Sequence, residues 1–408
     1  MPRNYDVIVV GGGAAGLTAA LNAGRRGART LLLERKERTG RKLLVTGNGR
    51  CNLTNAVADE AQHYRGREPR FATNVLASFG VPTTLAFFAE LGIPTVEFAG
   101  RYFPRSLAAA DVADALLEGC REAGVEILTN IKVGRLESGE LWSVAQEGGQ
   151  SWSARRVVLA AGGRSAPGTG SDGAGFQLAA ALGHTIVEPR PAICPLVCAG
   201  NLGHFLQGVK LPVLLRVAEP ELELGPAELM FTHFGLSGPL ILDLSVELAR
   251  PLAAGPVEIK LDLLPEVPGE RVADYLQQRA DDHPRRELGN LFLGVLPRRV
   301  LPALLRRREI DPRQRCAELT ATTRNALSRL LKACQLRVLE PLGWEEAAAT
   351  LGGVHTAEVD PRSLESRLHP GLHFAGEVLD ICGECGGFNL QWAWSSGYIA
   401  GEAAFQRG

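Results

Sequence analysis

"YDVIVVGGGAAGLTAALNAGRRG", residues 5–27, decides how this chain begins to fold. The run Val7-Ile8-Val9-Val10 has the β-branched, unbroken apolar character of a short strand buried on both faces of a parallel sheet. Glycines follow with no gap, and an alanine- and leucine-rich stretch then reads as a helix. In Gly11-x-Gly13-x-x-Gly16 the first glycine permits a tight turn, the second lets a pyrophosphate reach the backbone, and the third lets the helix pack closely on the strand. The helix start supplies free N–H groups and the positive end of a dipole. Eighteen residues beyond Gly16, "ARTLLLE" closes a second strand on Glu34, where a carboxylate can accept both hydroxyls of an adenosine ribose. That choice favours FAD or NAD over NADP, whose 2′-phosphate a carboxylate repels. Strand, glycine turn, helix, strand and acid in register describe a dinucleotide site.

Outward from Glu34, the chain does not continue with simple βαβ units. It runs into "GRKLLVTGNGRCNLTN", residues 40–55. Arg41 and Lys42 suit phosphates or a ribitol chain. Gly47 and Gly49, with the small polar Thr46, Asn48 and Asn52, let backbone pass against a flat ring. "ARRVVLAAGGRSAPGTGSDGAGFQLAAALGH", residues 154–184, is a further strand ending in Ala160-Ala161-Gly162-Gly163, then a loop, then a helix from about Gly173. Small residues at the carboxyl end of a parallel strand are where an open α/β sheet receives its ligand. Near the C-terminus, residues 371–404 repeat the theme: a strand Leu372 to Ala375, Gly376-Glu377, a loop with Asp380, then Gly386-Gly387-Phe388-Asn389-Leu390-Gln391 opening a helix. Such a helix start can stabilise negative charge near N1 and C2=O of a reduced flavin. One site therefore draws on both ends of the chain.

Together with "FTHFGLSGP" (231–239) and "LGGVHTAEVDPRSLESRLHPGLHFAGEVLD" (351–380), these motifs resemble the BaiN/RdsA-type, aminoacetone-oxidase-like flavoproteins over essentially the whole chain. The resemblance implies a Rossmann-like FAD domain made of the N-terminal part and the C-terminal tail, with a β-barrel-like domain and a small helical domain inserted. It implies FAD as the tightly held cofactor. It carries the site to Gly11, Gly13, Gly16, Glu34, Lys42, Thr46, Gly49, Arg50, Cys51, Asn52, Gly162, Gly376, Glu377 and Asn389. The full cofactor-binding set adds Ala14, Ala15, Arg35, Gly47, Asn48, Val133, Ala161, Asp380, Gly387, Phe388, Leu390 and Gln391. The expected boundaries are 1–188 with 346–408 for the FAD domain, 189–265 with 338–345 for the β-rich insert, and 266–337 for the helical insert. Alternating strands punctuated by Gly and Pro support the second, and helical spacing broken by prolines supports the third.

Composition sets the outer bounds. A hydrophobic share of 45% with 22% charge is that of an ordinary globular protein. No run of 18 apolar residues lacks glycine or charge, and the start passes into a strand without signal-peptide features, so a cytoplasmic, non-membrane protein is expected. Net charge is −1, yet residues 285–337 hold 13 Arg and Lys against 4 Asp and Glu. "LPALLRRRE" with Arg306, Arg307 and Arg308 is the densest positive cluster. It reads either as a solvated helical face or as a contact for ribosomal RNA. The eight cysteines are too sparse for a disulfide scaffold. Cys382 and Cys385 form a CxxC that is either a flavin-linked dithiol or an incidental pair, the second being preferred. Cys194 and Cys198 lack partners for zinc. Cys51 is read as packing, His233 and His355 as loop residues within reach of the cofactor, and Trp392 and Trp394 as core anchors.

The resulting expectation is an FAD oxidoreductase passing hydride through flavin N5, with NAD(P)H as a transient reductant. Three substrate readings follow from the resemblance: a uridine in ribosomal RNA reduced to dihydrouridine, a small enone, or an amine. A flavin-bound RNA-binding factor without turnover is the reading from a different class. The catalytic acid or base is left unassigned.

Overall fold

The computed structural model describes residues 4–405. They form two compact units, residues 4–192 with 344–405, and residues 193–343.

The first unit is built on a seven-stranded sheet. Strand Asn4–Val10 lies at its centre, parallel to Thr30–Leu33 on one side and Ser151–Leu159 on the other. Glu126–Leu128 extends the parallel set beyond Thr30–Leu33. Leu372–Phe374, more than 200 residues later, pairs in parallel with Val157–Leu159. The antiparallel strands Trp142–Gln146 and Val133–Glu137 complete the other edge. Val7, Ile8, Val9, Leu31, Leu32, Val157 and Val158 are fully buried, as strands covered on both faces must be.

The covering helices explain why both ends of the chain are needed. Ala14–Arg25 and the C-terminal helix Phe388–Ala404 pack with almost no spacer. A Cβ at Gly397 would stand 2.4 Å from Ala15 O, and one at Gly401 would stand 2.3 Å from Ala19 O. Glycine is required at both positions for this approach. Trp392 and Trp394 are buried, and their indole N–H groups donate to Gly376 O and Leu53 O. They anchor the core, as a buried tryptophan with a satisfied N–H does.

The second unit contains a closed six-stranded barrel in the order Leu196–Cys198, Gly235–Ser237, Leu222–Phe231, Lys210–Val217, Val257–Asp262, Cys334–Pro341. Every pairing is antiparallel. In Lys210–Val217 buried and outward residues alternate, filling the interior from one face of each strand. Helices Val272–Asp282, Val300–Arg307 and Ala321–Lys332 share one apolar core with the barrel through Leu276, Leu304 and Leu331. Lys332 Nζ lies 2.6 Å from the buried Asp262 carboxylate. No single helix among the described residues is long and apolar enough to cross a membrane.

Candidate cofactor and active site

Three glycines of the fingerprint turn have three different physical reasons. Gly11 has φ +105°, and a Cβ there would meet Ala160 O at 2.4 Å. A Cβ on Gly16 would stand 1.8 Å from Gly11 O. Both are demanded by the protein itself. Gly13 is not: its φ is −79°, and a Cβ would find nothing within 4 Å. The space over Gly13 is free on the protein's side, which is what a ligand lying on the backbone requires. The first helical bond runs from Leu17 N–H to Gly13 O, and no side chain caps the helix. The N–H groups of Ala14, Ala15 and Gly16 are therefore available to an anion.

Glu34 follows its strand and is buried. Its Oε2 accepts from Gly12 N–H at 2.8 Å and its Oε1 from Lys36 N–H at 2.7 Å. Burial pushes its carboxyl pKa up, and the two backbone N–H groups counter only part of that. Each oxygen keeps a second acceptor position. Ile131 N–H donates to Glu34 O at 2.9 Å, which brings the segment leading to the buried Val133 alongside. Arg35 is engaged elsewhere, with Asp172 at 2.5 Å and Gly170 O at 3.3 Å.

The loop after the short helix Arg41–Val45 is held in an unusual backbone. Gly47, Asn48, Gly49 and Cys51 have φ of +57°, +55°, +80° and +56°. Thr46 ties it down, its hydroxyl donating to Leu43 O and its carbonyl accepting from Cys51 N–H. The Cys51 thiol is fully buried and its pKa is pushed up to about 12 by burial, so it is a packed thiol and not a thiolate. Asn52 carries a buried Oδ1 with no hydrogen-bond partner among the described residues. Lys42 points the other way, to Glu377 Oε2 at 2.6 Å and Ser165 Oγ at 2.5 Å, while Ser165 Oγ also donates to Glu377 Oε1 at 2.7 Å. Burial works against the Glu377 carboxylate, but Lys42 and the hydroxyls of Ser165 and Thr350 more than offset it, leaving the pKa below its ordinary value. This network joins the ends of strands Ser151–Leu159 and Leu372–Phe374. Ser171, whose buried hydroxyl has no hydrogen-bond partner among the described residues, would crowd any Cβ on Gly162 at 3.0 Å. Ala161 lies on the same segment.

The second helix start follows a turn braced by side chains as well as by the Thr54 backbone, 2.6 Å from where a Cβ on Gly387 would stand. Gly387, φ +110°, begins Phe388–Ala404 without a capping side chain, and the first helical bond runs from Gln391 N–H to Gly387 O. Asn389 braces the preceding loop, accepting from Gly383 N–H and donating to Gly383 O. The Gln391 amide is buried, donating to Phe79 O, Thr84 and Ser395 and accepting from Thr54. Both side chains are thus occupied within the protein, and what this segment offers a ligand is the backbone N–H groups of Phe388, Asn389 and Leu390. Gly376 N–H is taken by Ser396 Oγ, and Asp380 Oδ2 accepts from Arg67 N–H. Cys382 is buried, its pKa raised by burial and by the carboxylates of Glu377 and Asp380.

Of the residues read from sequence, the structure gathers Gly13, Glu34, Lys42, Asn52, Gly162, Glu377 and the Phe388 helix start into one unit. Ser165, Thr350 and Ser171 were not anticipated, because single hydroxyls carry no spacing signal. His355 N–H donates to Thr185 O, also in the first unit. His233 belongs to the second unit, packed edge-on against Phe234 at 4.9 Å. Cys194 and Cys198 are also there, and no metal-binding group occurs among the described residues. In the arginine cluster Arg306, Arg307 and Arg308 are all exposed, and Arg307 also donates to Gln335 O at 2.9 Å.

Residues 5–403 match the family described as HI0933-like protein Rossmann domain. This chain belongs to that family. It is a family of FAD-dependent oxidoreductases, and the parallel sheet described above is the Rossmann-type domain for which it is described. A 3-dehydro-bile acid delta(4,6)-reductase of Clostridium scindens is 38% identical over 98% of both chains. A ribosomal RNA dihydrouridine synthase of Escherichia coli is 32% identical, again over 98% of each. The solved 3-ketosteroid delta1-dehydrogenase of Sterolibacterium denitrificans superposes with a TM-score of 0.51 at 15% identity, over 98% of this chain and 99% of that one, a likeness of fold.

Proposed function

We propose that this protein is an FAD-dependent reductase of a carbon–carbon double bond conjugated to a carbonyl, taking its electrons from NAD(P)H, and that its substrate is a uridine in ribosomal RNA. The observation that supports FAD most directly is the pair of uncapped helix starts, at Ala14 and Phe388, with open space over Gly13 between protein atoms and nothing else that explains a glycine there. The partnerless hydroxyl of Ser171 and amide oxygen of Asn52 suit a ligand that supplies their bonds. When bound, FAD provides a two-electron carrier able to deliver hydride.

The chain's own residues hold and bias it. N–H groups at 14–16 receive phosphate oxygens, the remaining acceptor positions of Glu34 receive ribose hydroxyls, and the N–H groups at 388–390 favour negative charge on the ring edge they face. Lys42, Ser165 and Glu377 keep a shared set of protons beside the strand ends. A conjugated carbonyl unites the two relatives' names, since a uracil ring and a 3-oxo-4-ene both accept hydride at the carbon β to C=O. The 38% identity to the bile acid reductase favours a small enone as the second reading. Purified protein tested for bound FAD, with nucleoside digests of ribosomal RNA from parent and deletion strains, decides between them. Loss of dihydrouridine in the deletion is the expected result; unchanged dihydrouridine with turnover of a 3-oxo-4-ene would support the second.

A further inference from the structure

Beyond helices Phe71–Ser78 and Val81–Glu90, the chain builds a short hairpin that has no role in the function proposed. Strands Thr95–Phe98 and Arg101–Pro104 pair with Phe98 opposite Arg101 and Val96 opposite Phe103. The two-residue turn between them, Ala99-Gly100, has φ of +50° and +77°, the left-handed pair that closes a tight hairpin. Residues directly opposite share a face, so Phe98, Arg101 and Phe103 lie on one side, and Glu97 and Tyr102 on the other.

That side is the one turned to the site. Asn55 stands opposite Arg101 on the adjoining strand Thr54–Asn55, and its amide donates to Gly386 O at 3.1 Å. A Cβ on Gly386 would lie 3.3 Å from Arg101 Nε, so the guanidinium rests beside the glycine pair that opens the C-terminal helix. The loop after helix Arg41–Val45 reaches the same face: the Arg50 guanidinium sits 5.5 Å above the Phe103 ring. Phe98 is 56% exposed, its ring 6.2 Å from that of Phe103. Arg50 and Arg101 have no carboxylate partner among the described residues.

An exposed aromatic ring flanked by two uncompensated guanidinium groups is the composition of a single-strand nucleic acid platform, where a base stacks and the cations meet phosphates. An apolar ligand would have no use for the two charges. We infer that the face formed by Phe98, Arg101 and Arg50 receives the RNA strand next to the target uridine, with a neighbouring base stacked on Phe98 and its phosphate on Arg101. The inference rests on the RNA reading of the preceding section and adds the element that would recognise the strand.

The test uses the full-length, FAD-loaded protein and an unmodified ribosomal RNA transcript, with affinity measured across a salt series and dihydrouridine formation followed by mass spectrometry. Phe98→Ala is exposed enough to fold, and its flavin content should equal that of the parent. It should weaken RNA binding about 5- to 150-fold, the range of one lost base stack, with no change in the salt slope. Phe98→Trp should restore binding. Arg101→Gln should reduce the slope of log affinity against log salt by about 0.7. Wild-type protein that binds and modifies the transcript, with both variants indistinguishable from it, overturns this inference and leaves the RNA reading standing. Wild-type protein that ignores RNA removes both. Should Phe98→Ala lower turnover of a 3-oxo-4-ene while RNA binding stays unmoved, the platform serves a small apolar substrate and the inference is wrong.

Discussion

Two glycine-containing turns open helices in the first unit, one after the parallel strand Asn4–Val10 and one after Cys382–Gly383, which pairs antiparallel with Tyr64–Arg65, and they are built differently. The fingerprint turn, Gly11 to Gly16, is shaped by backbone contacts: two of its glycines are enforced by carbonyls within 2.4 Å of where a Cβ would stand. The turn before Phe388 has one such glycine, Gly387, whose Cβ would stand 2.7 Å from Thr54 O, and adds side chains to it, with Asn389 bridging Gly383 and Asn55 reaching Gly386 O. Both leave a helix start uncapped. The same electrostatic device thus arises from a motif that is almost all glycine and from one in which asparagines do the bracing, and the second is far harder to read for its ligand.

The largest effect expected from this contrast is at Gly16. Gly16→Val places carbon 1.8 Å from Gly11 O at the start, with no flexible neighbour to yield, so the first unit should lose about 4 kcal/mol or more. Thermal and denaturant unfolding measure it, and a well-folded Gly16→Val protein would mean the turn is not rigid. Gly13→Val should behave differently. Its backbone is ordinary and its surroundings open, so the fold should persist while the flavin is lost, because the new side chain fills the space a pyrophosphate needs. Colourless protein with a parental unfolding midpoint is the expected outcome; a yellow Gly13→Val variant would move the cofactor off this turn.

Glu34 sharpens the comparison one step down. Its carboxylate braces the fingerprint turn through Gly12 N–H and Lys36 N–H and still offers two acceptor positions. Glu34→Ala should weaken FAD binding by about 1.5 to 3 kcal/mol, the range for hydrogen bonds to a charged group. Isothermal titration of the apoprotein with FAD reads this directly, and an unchanged affinity would show that the ribose lies elsewhere.

How much of this was legible in the sequence follows from which contacts are local. Strand Asn4–Val10, its glycine turn, its helix and Glu34 are contiguous, and the β-branched run with its following glycines identifies them without help from the rest of the chain. Short strands punctuated by Gly and Pro also announced the β-rich insert. Its closure into a barrel was expected from the family resemblance alone, because Leu196–Cys198 meets Cys334–Pro341 across nearly 140 residues and no local pattern encodes that pairing. The Lys42, Ser165 and Glu377 network is similarly assembled from three distant segments. Gln391 shows the converse limit: its motif is specific, yet the buried amide ties the C-terminal helix to Phe79 and Thr84, so the specificity there reflects architecture. The hairpin 95–104 has an ordinary composition, and only its register discloses that Phe98 and Arg101 share a face with Asn55.

The smallest effect should come from the cysteines of the second turn, whose CxxC spacing suggests chemistry that their surroundings oppose. An exchanging dithiol needs one thiolate near neutral pH, stabilised by a cation or a helix start. Cys382 has the reverse environment: it is buried, and the carboxylates of Glu377 and Asp380 raise its pKa further, against a weaker pull from Lys42 and Arg65. Neither cysteine is paired in a disulfide. Cys382→Ser and Cys385→Ser should therefore leave flavin content, flavin reduction by NAD(P)H and turnover within a few-fold of the parent, the Cys382 variant losing only the small packing contribution of sulfur. Stopped-flow reduction with absorbance between 500 and about 600 nm is the deciding measurement, since a thiolate stacked on oxidised flavin gives a charge-transfer band. Loss of reduction in both variants, together with such a band in the parent alone, would make the second turn a redox site and reverse the contrast between the two helix starts.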